Sequence, residues 1–171
     1  GWCVMDTKGN IYVERSYINS DIFYELELMN SAYYAKKIPK YKEQIKSGER
    51  ILTNTYNIRK QMLEDIKKYG IKEVCAHNAR FDYRALQNIQ RWTTKSKFRY
   101  WMPCDIIWWD SLKMARDVIC KMPTYRKFCE ANNLLTKNGT PSATAESLYK
   151  FITKNPNFIE SHTGLEDVRI E

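Results

Sequence analysis

The 171-residue chain has no apolar run approaching the roughly 20 residues that a membrane-spanning helix needs. Its start lacks the basic-then-apolar pattern of a secretory leader. These two absences make the cytoplasm the expected compartment, with no membrane partner. The five cysteines, Cys3, Cys75, Cys104, Cys120 and Cys129, include no CxxC pair. An odd, scattered set argues against a disulfide framework, a disulfide-linked partner and a zinc site; it predicts small buried or half-buried thiols. Asn138-Gly139-Thr140 matches a glycosylation sequon, which means little without secretion. Internal repeats and low-complexity tracts are also missing.

What is present is a chain 43% hydrophobic, of a length that suits one domain over 1–171 with one core. Its net charge is +8. A basic excess on a small domain suggests an anionic partner, nucleic acid first.

The hydrophobic pattern predicts the elements. "WCVM" and "IYVERSY" read as two strands of a hairpin around "DTKGN". "DIFYELELMNSAYYAKKIPKYKEQIKSG" reads as helical pieces broken near Pro39 and stopped at Gly48. In "TYNIRKQMLEDIKKYG", Ile58, Met62, Leu63 and Ile66 recur at helical spacing before a capping Gly70. "IKEVCAH" is a short strand, followed by the helix "ARFDYRALQNIQRW" with an apolar face of Phe81, Ala85, Ile89 and Trp92. "IIWWD" is another strand. "SLKMARDVICK", "TYRKFCEANN" and "ATAESLYKFITK" are helices, and a last helix begins near Thr163. A hairpin followed by alternating helices and strands indicates an α/β or α+β sheet covered by helices.

Two short stretches carry candidate chemistry. In "EVCAHNARFDYRAL", Asp82 falls in the first turn of a helix that follows a strand, on a face with Ala85, Leu86 and Ile89. A carboxylate leaning on apolar neighbours is costly unless it is solvated, paired or metal-bound. The residues alone leave two readings open, an acid favoured by the helix N-terminus or a ligand. In "SHTGLEDV", Thr163 to Glu166 fits a capping box. His162 then stands just outside a helix whose first turn holds Asp167. That pairs a group suited to base catalysis with a possible metal ligand; a loop histidine and a dipole partner are the plainer alternative.

Taken together, these stretches resemble the DEDD exonucleases of the ribonuclease H-like superfamily, in the branch with a catalytic histidine. "HNARFD" matches that family's second motif and "HTGLED" its third. "WDSLKMAR", Trp109 to Arg116, is similar to its intervening Asp-x-Leu-x-x-Ala-Arg segment. The resemblance runs from the hairpin to the end of the chain and looks closest to phage-encoded members. It implies an α/β ribonuclease H-like mixed sheet flanked by helices, in a bacterial or phage-infected cell. It also implies a 3′–5′ exonuclease acting on the 3′ end of DNA, or RNA, with two Mg²⁺ or Mn²⁺ ions. Asp82 and Asp167 would be catalytic metal ligands and His162 the catalytic base. Asn78 and Phe81 would shape the substrate site, and Asp110 would be structural or support the ligands. Two-metal hydrolysis needs hard oxygen ligands, which carboxylates supply.

The family's first motif, Asp-x-Glu on the first strand, does not occur in this chain. Asp6-Thr7-Lys8 is the nearest approach, with lysine in place of the glutamate, in a turn. Glu25-Leu26-Glu27 lacks the aspartate and reads as helix. The expectation is that the first strand precedes Gly1, that the chain is truncated at both ends, and that alone it is weak or inactive. The tyrosine variant is disfavoured: Tyr17 and Asp21 have its spacing but precede the second motif, and position 163 is threonine.

A basic and aromatic segment, "RWTTKSKFRYW", carries Arg91, Lys95, Lys97 and Arg99 among Trp92, Phe98, Tyr100 and Trp101. Bases would stack on the aromatics while the cations meet phosphates. The other reading is a solvated loop whose aromatics pack on the sheet. "YYAKKIPKYK" is a weaker instance. The runner-up function is a nucleic-acid-binding module on an exonuclease-like fold, without catalysis.

Overall fold

The computed structural model describes residues 1–31 and 35–170. Ala32, Tyr33 and Tyr34, the last two of which begin "YYAKKIPKYK", lie outside the described residues, as does Glu171. The described residues fall into two compact units. One comprises 1–72 and 85–106, the other 73–84 and 107–171.

The first unit opens with the expected hairpin. Strands β1 (Trp2–Met5) and β2 (Ile11–Arg15) pair antiparallel, with Val4 opposite Val13 and a bulge between Val4 and Met5. Asp6 closes the turn. One carboxylate oxygen accepts the backbone N–H groups of Lys8 (2.8 Å) and Asn10 (2.9 Å). The other accepts the Asn10 amide (2.8 Å) and the Tyr12 hydroxyl (3.2 Å). These bonds, the Asn10 side chain foremost, hold the Asp6 carboxyl at a pKa of about 2. The nearest approach to Asp-x-Glu is therefore a turn acid with both oxygens engaged.

Strand β3 (Tyr17–Asn19) pairs in parallel with β4 (Ile51–Thr53), which the hydrophobic pattern did not reveal. Between them lie α1 (Ser20–Phe23), α2 (Leu26–Met29), a 3₁₀ turn at Ala35–Lys37 and α3 (Ile38–Lys46). Pro39 sits in the first turn of α3, where its missing N–H costs nothing. Asp21 accepts the backbone N–H of Thr55 at 2.9 Å, at the start of α4 (Thr55–Tyr69). Asp21, the acid of the Tyr17–Asp21 spacing, thus has a structural role. Helix α4 ends at Gly70, whose φ of 62° is left-handed and suits glycine.

Helix α4 also buries an acid. Asp65, 2% exposed, accepts from Arg15 Nε and Nη2 (each 3.0 Å), Trp2 Nε1 (3.1 Å) and Gln61 (3.2 Å). Burial pushes its carboxyl up, but the Arg15 and Trp2 bonds outweigh burial and hold it below the usual range. The same unit buries Trp101, 2% exposed. Its backbone N–H is accepted by Gln87 at 3.2 Å, and its carbonyl accepts from Arg59 at 2.8 Å.

In the second unit, β5 (Glu73–Ala76) and β6 (Ile107–Asp110) pair in parallel, with Ala76 opposite Asp110. Helix α5 (Ala79–Thr94) begins in this unit and from Ala85 belongs to the first. There follow α6 (Ser111–Asp117), a 3₁₀ turn at Ile119–Lys121, α7 (Pro123–Ala131), α8 (Ala145–Ile152) and α9 (Gly164–Val168). The core joins Ala115, Tyr125, Cys129 and Leu148, with Phe128 and Phe151 against them. Tyr125 is fully buried and donates its hydroxyl to the Ser142 carbonyl at 2.7 Å. Burial pushes its phenol well above the ordinary value.

The class is mixed α/β, as expected, with helices flanking small sheets. The expected single mixed sheet is replaced, among the described residues, by three two-stranded sheets. Strands of three to five residues leave little edge to extend. A two-stranded pair is marginal in water, so the helices must supply most of the burial. The apolar face of α5 also needs correcting. Phe81 and Trp92 are 64% and 45% exposed, while Ala79, Gln87 and Gln90 are buried. A buried polar side chain is tolerated where it is hydrogen-bonded, as Gln87 is to Trp101. Of the cysteines, Cys129 is buried and Cys3 and Cys120 half-buried, but Cys75 and Cys104 are exposed. Among the described residues, no helix is long and apolar enough to cross a membrane.

Candidate functional site

The second unit places Asp82 by fastening the loop after β5. The parallel register sets Asp110, the last residue of β6, beside the end of β5. One oxygen of Asp110 accepts the backbone N–H of Leu112 (3.1 Å), capping α6, and that of Asn78 (3.1 Å). Asn78 adopts a left-handed φ of 66°, which asparagine tolerates better than most residues. Its carbonyl accepts the Phe81 N–H at 2.8 Å as α5 begins. His77 adds a second fastening, with Nε2 2.8 Å from the Ala143 carbonyl and Nδ1 3.0 Å from the Ser111 hydroxyl. A carbonyl can only accept, so Nε2 carries a proton.

Asp82 therefore stands in the first turn of α5, at the carboxyl end of two parallel strands, where open α/β sheets leave room for ligands. It is half-buried. Burial pushes its carboxyl above the usual range, and the charge of Asp110 adds to the rise. A cation at this locus would relieve both effects. Phe81 is exposed beside it and open to a flat ligand group.

At the "HTGLED" stretch, Thr163 is 1% exposed and caps α9. The expected box is rearranged. Asp167 accepts the Thr163 backbone N–H at 2.9 Å, while the Thr163 hydroxyl donates to the Glu166 carboxylate. One Asp167 oxygen is thus engaged at the N-terminus of its own helix. His162, with a left-handed φ of 52°, has a half-exposed side chain. Its Nδ1 lies 3.4 Å from Glu160 Oε1. The Glu160 backbone N–H donates to Glu146 Oε2 at 3.2 Å, and Lys150 contacts Glu146 Oε1 at 2.5 Å. The Lys150 bond is the main cause of a lowered Glu146 pKa; the bond from the Glu160 N–H and the charge of His162 also contribute.

Among the described residues, one group of three metal-donor side chains has its donor atoms within 4.8 Å of one another: Glu146, Glu160 and His162. Asp82 and Asp167 lie outside it. The carboxylate acting on Asp82 is that of Asp110, which supports the loop and also loads the acid. Glu160 and Glu146 were missed by sequence reasoning. "ESH" hinted at the first, but nothing local links Glu146 to a residue fourteen positions on.

The four predicted cations belong to the first unit. Lys95 Nζ lies 5.1 Å from the Trp92 ring centroid and Lys97 Nζ 5.2 Å from that of Phe98. Arg91 and Arg99 are exposed. Phe98 is 77% exposed and Tyr100 46%. Trp101 is core, as the packing reading had it, while Lys95, Lys97, Phe98 and Tyr100 are exposed.

For Mg²⁺ or Mn²⁺ the donors present are of the right kind. Asp82 is a half-buried carboxylate loaded by a second acid, and Asp167 is held in place by the Thr163 N–H. Neither belongs to the group of three donors named above, and the chain contains no Asp-x-Glu.

A scan against protein-family models gives no match, and searches of the curated proteins and of the solved structures give none either.

Proposed function

We propose that the chain is part of a metal-dependent 3′–5′ exonuclease of ribonuclease H-like architecture, hydrolysing phosphodiester bonds of DNA or RNA. The observation that carries this reading is the state of Asp82. A carboxylate near the carboxyl end of a parallel strand pair is half-buried, and its pKa is raised mainly by burial, with a smaller contribution from the charge of Asp110. Perturbed acids placed in this way are candidates for chemistry. Asp82 and Asp167 would hold Mg²⁺ or Mn²⁺, which when bound polarises the phosphoryl oxygen and acidifies water. His162, half-exposed, would take the proton from the attacking water. Asn78 and Phe81, at the start of α5, would meet the terminal nucleotide.

The test is Mn²⁺-dependent release of nucleotides from 3′-labelled single strands. It is run on this chain and on the full coding frame that contains it, with Asp82→Ala and His162→Ala beside them. Release that stops in both variants supports the proposal. The alternative of a non-catalytic nucleic-acid-binding module draws on the exposed Lys95–Trp92 and Lys97–Phe98 pairs. It is favoured if the full frame binds a strand that neither metal nor mutation causes it to degrade.

A further inference from the structure

We propose that Glu160 is a positioning residue for His162, holding the imidazole in its Nδ1–H tautomer so that Nε2 is the nitrogen that accepts a proton. The inference rests on the hydrolytic reading above for its consequence and on geometry for its substance.

A neutral imidazole has one N–H, and a carboxylate can only accept. The carboxylate facing a ring nitrogen therefore selects the tautomer with the proton on that nitrogen. Here Glu160 Oε1 faces Nδ1 at 3.4 Å, and the Glu160 side chain is only 13% exposed against 54% for the imidazole. The acid is thus the fixed partner and the ring the adjustable one. Its backbone is tied down as well, by the bond from Glu160 N to Glu146 Oε2, while Lys150 holds Glu146 from the other side. Beyond the ring, the chain is fixed again at Thr163, buried and bonded to Asp167. An imidazole held between two anchored points, with an acid on one nitrogen, has the layout of an oriented general base. When the base takes its proton, the same carboxylate faces the new positive charge and stabilises it.

Glu146, Glu160 and His162 would instead form a cation site if their donor atoms closed on one ion. The Lys150 ammonium at 2.5 Å from Glu146 argues for the base. Glu160 and Glu146 both bring carboxylate oxygens near the imidazole, with Lys150 behind the latter.

The experiment reads the ring directly. The chain contains two histidines, so long-range ¹H–¹⁵N spectra resolve His77 and His162 separately. Neutral His162 is expected in the Nδ1–H form, shifting in Glu160→Ala toward the Nε2–H form that an unrestrained ring favours in water. Glu160→Gln keeps an acceptor and is expected to restore the tautomer, which also guards against a merely misfolded alanine variant. In the full coding frame, Glu160→Ala is expected to lower kcat about tenfold to a hundredfold, less than the loss of the base itself would, with little change in KM. Glu160→Gln should recover part of that loss. A wild-type ring already in the Nε2–H form overturns the proposal whatever the activity. So does Asp82-dependent hydrolysis that is unchanged in Glu160→Ala, or paramagnetic broadening showing Mn²⁺ bound to the imidazole. A tautomer bias that Glu160→Ala removes, with no Asp82-dependent hydrolysis, supports the Glu160–His162 coupling and removes the exonuclease reading instead.

Discussion

Asp65 and Asp82 are both aspartates withdrawn from water, one in each unit, and their surroundings act in opposite directions. Asp65 lies deeper, yet a two-point bond from Arg15, with Trp2 and Gln61, holds its carboxyl below the usual range. Asp82 is shallower, and burial together with the Asp110 charge raises it. Burial alone therefore does not mark a functional acid. What separates the two is whether the fold answers the charge: Asp65 is compensated and serves stability, whereas Asp82 keeps a charge that a bound cation would neutralise.

The largest effect expected from breaking this contrast is on the compensated side. Arg15→Ala leaves a buried, ionised Asp65 with its strongest partner removed, and a loss of about 3 kcal/mol is expected in urea unfolding at neutral pH. On the other side, Asp82→Asn should stabilise the protein by about 1 kcal/mol at neutral pH, as relief of a strained site commonly does.

The pH dependence sharpens the contrast, because the signs differ. The stability contributed by Asp65 is present above the unfolded value near 3.8 and is lost as pH falls through its lower folded value. The contribution of Asp82 is fully present below 3.8 and is lost as pH rises through its higher folded value. The gain from Asp82→Asn should accordingly vanish below pH 3.8, which unfolding curves across pH would show. The smallest expected effect concerns the cationic surface. Lys95→Ala and Lys97→Ala should each lower the salt slope of single-strand binding by about one contact, with modest loss of affinity.

The two acids also show how far the sequence could be read. The helices containing both were legible, because Ile58, Met62, Leu63 and Ile66 keep helical spacing and the "FD" pair follows a strand. Asp65 went unnoticed because its partners, Trp2 and Arg15, are about fifty to sixty residues away. Such pairing leaves no local pattern. For the same reason Gln87 was absent from the expected buried face of α5, although it is buried and bonded to the Trp101 backbone. Strand β4 is three residues long, too short to register in a periodic pattern. Asp82, Asn78, His162 and Asp167 came from short motifs, and the Thr-x-x-Glu spacing marked the start of α9 at Thr163 although not the bonds made there. The charged groups that act on them, Asp110 on Asp82 and Glu160 on His162, depend on a strand register and a loop path.

The central claim is that Asp82 is held in readiness for a metal that acts on phosphodiesters. Its most direct test is Mn²⁺-dependent nucleotide release from a 3′-labelled strand by the full coding frame, wild type against Asp82→Asn. Release that requires Mn²⁺ and disappears in the folded, more stable Asn variant is expected. Equal release by the two proteins, with or without the ion, contradicts it.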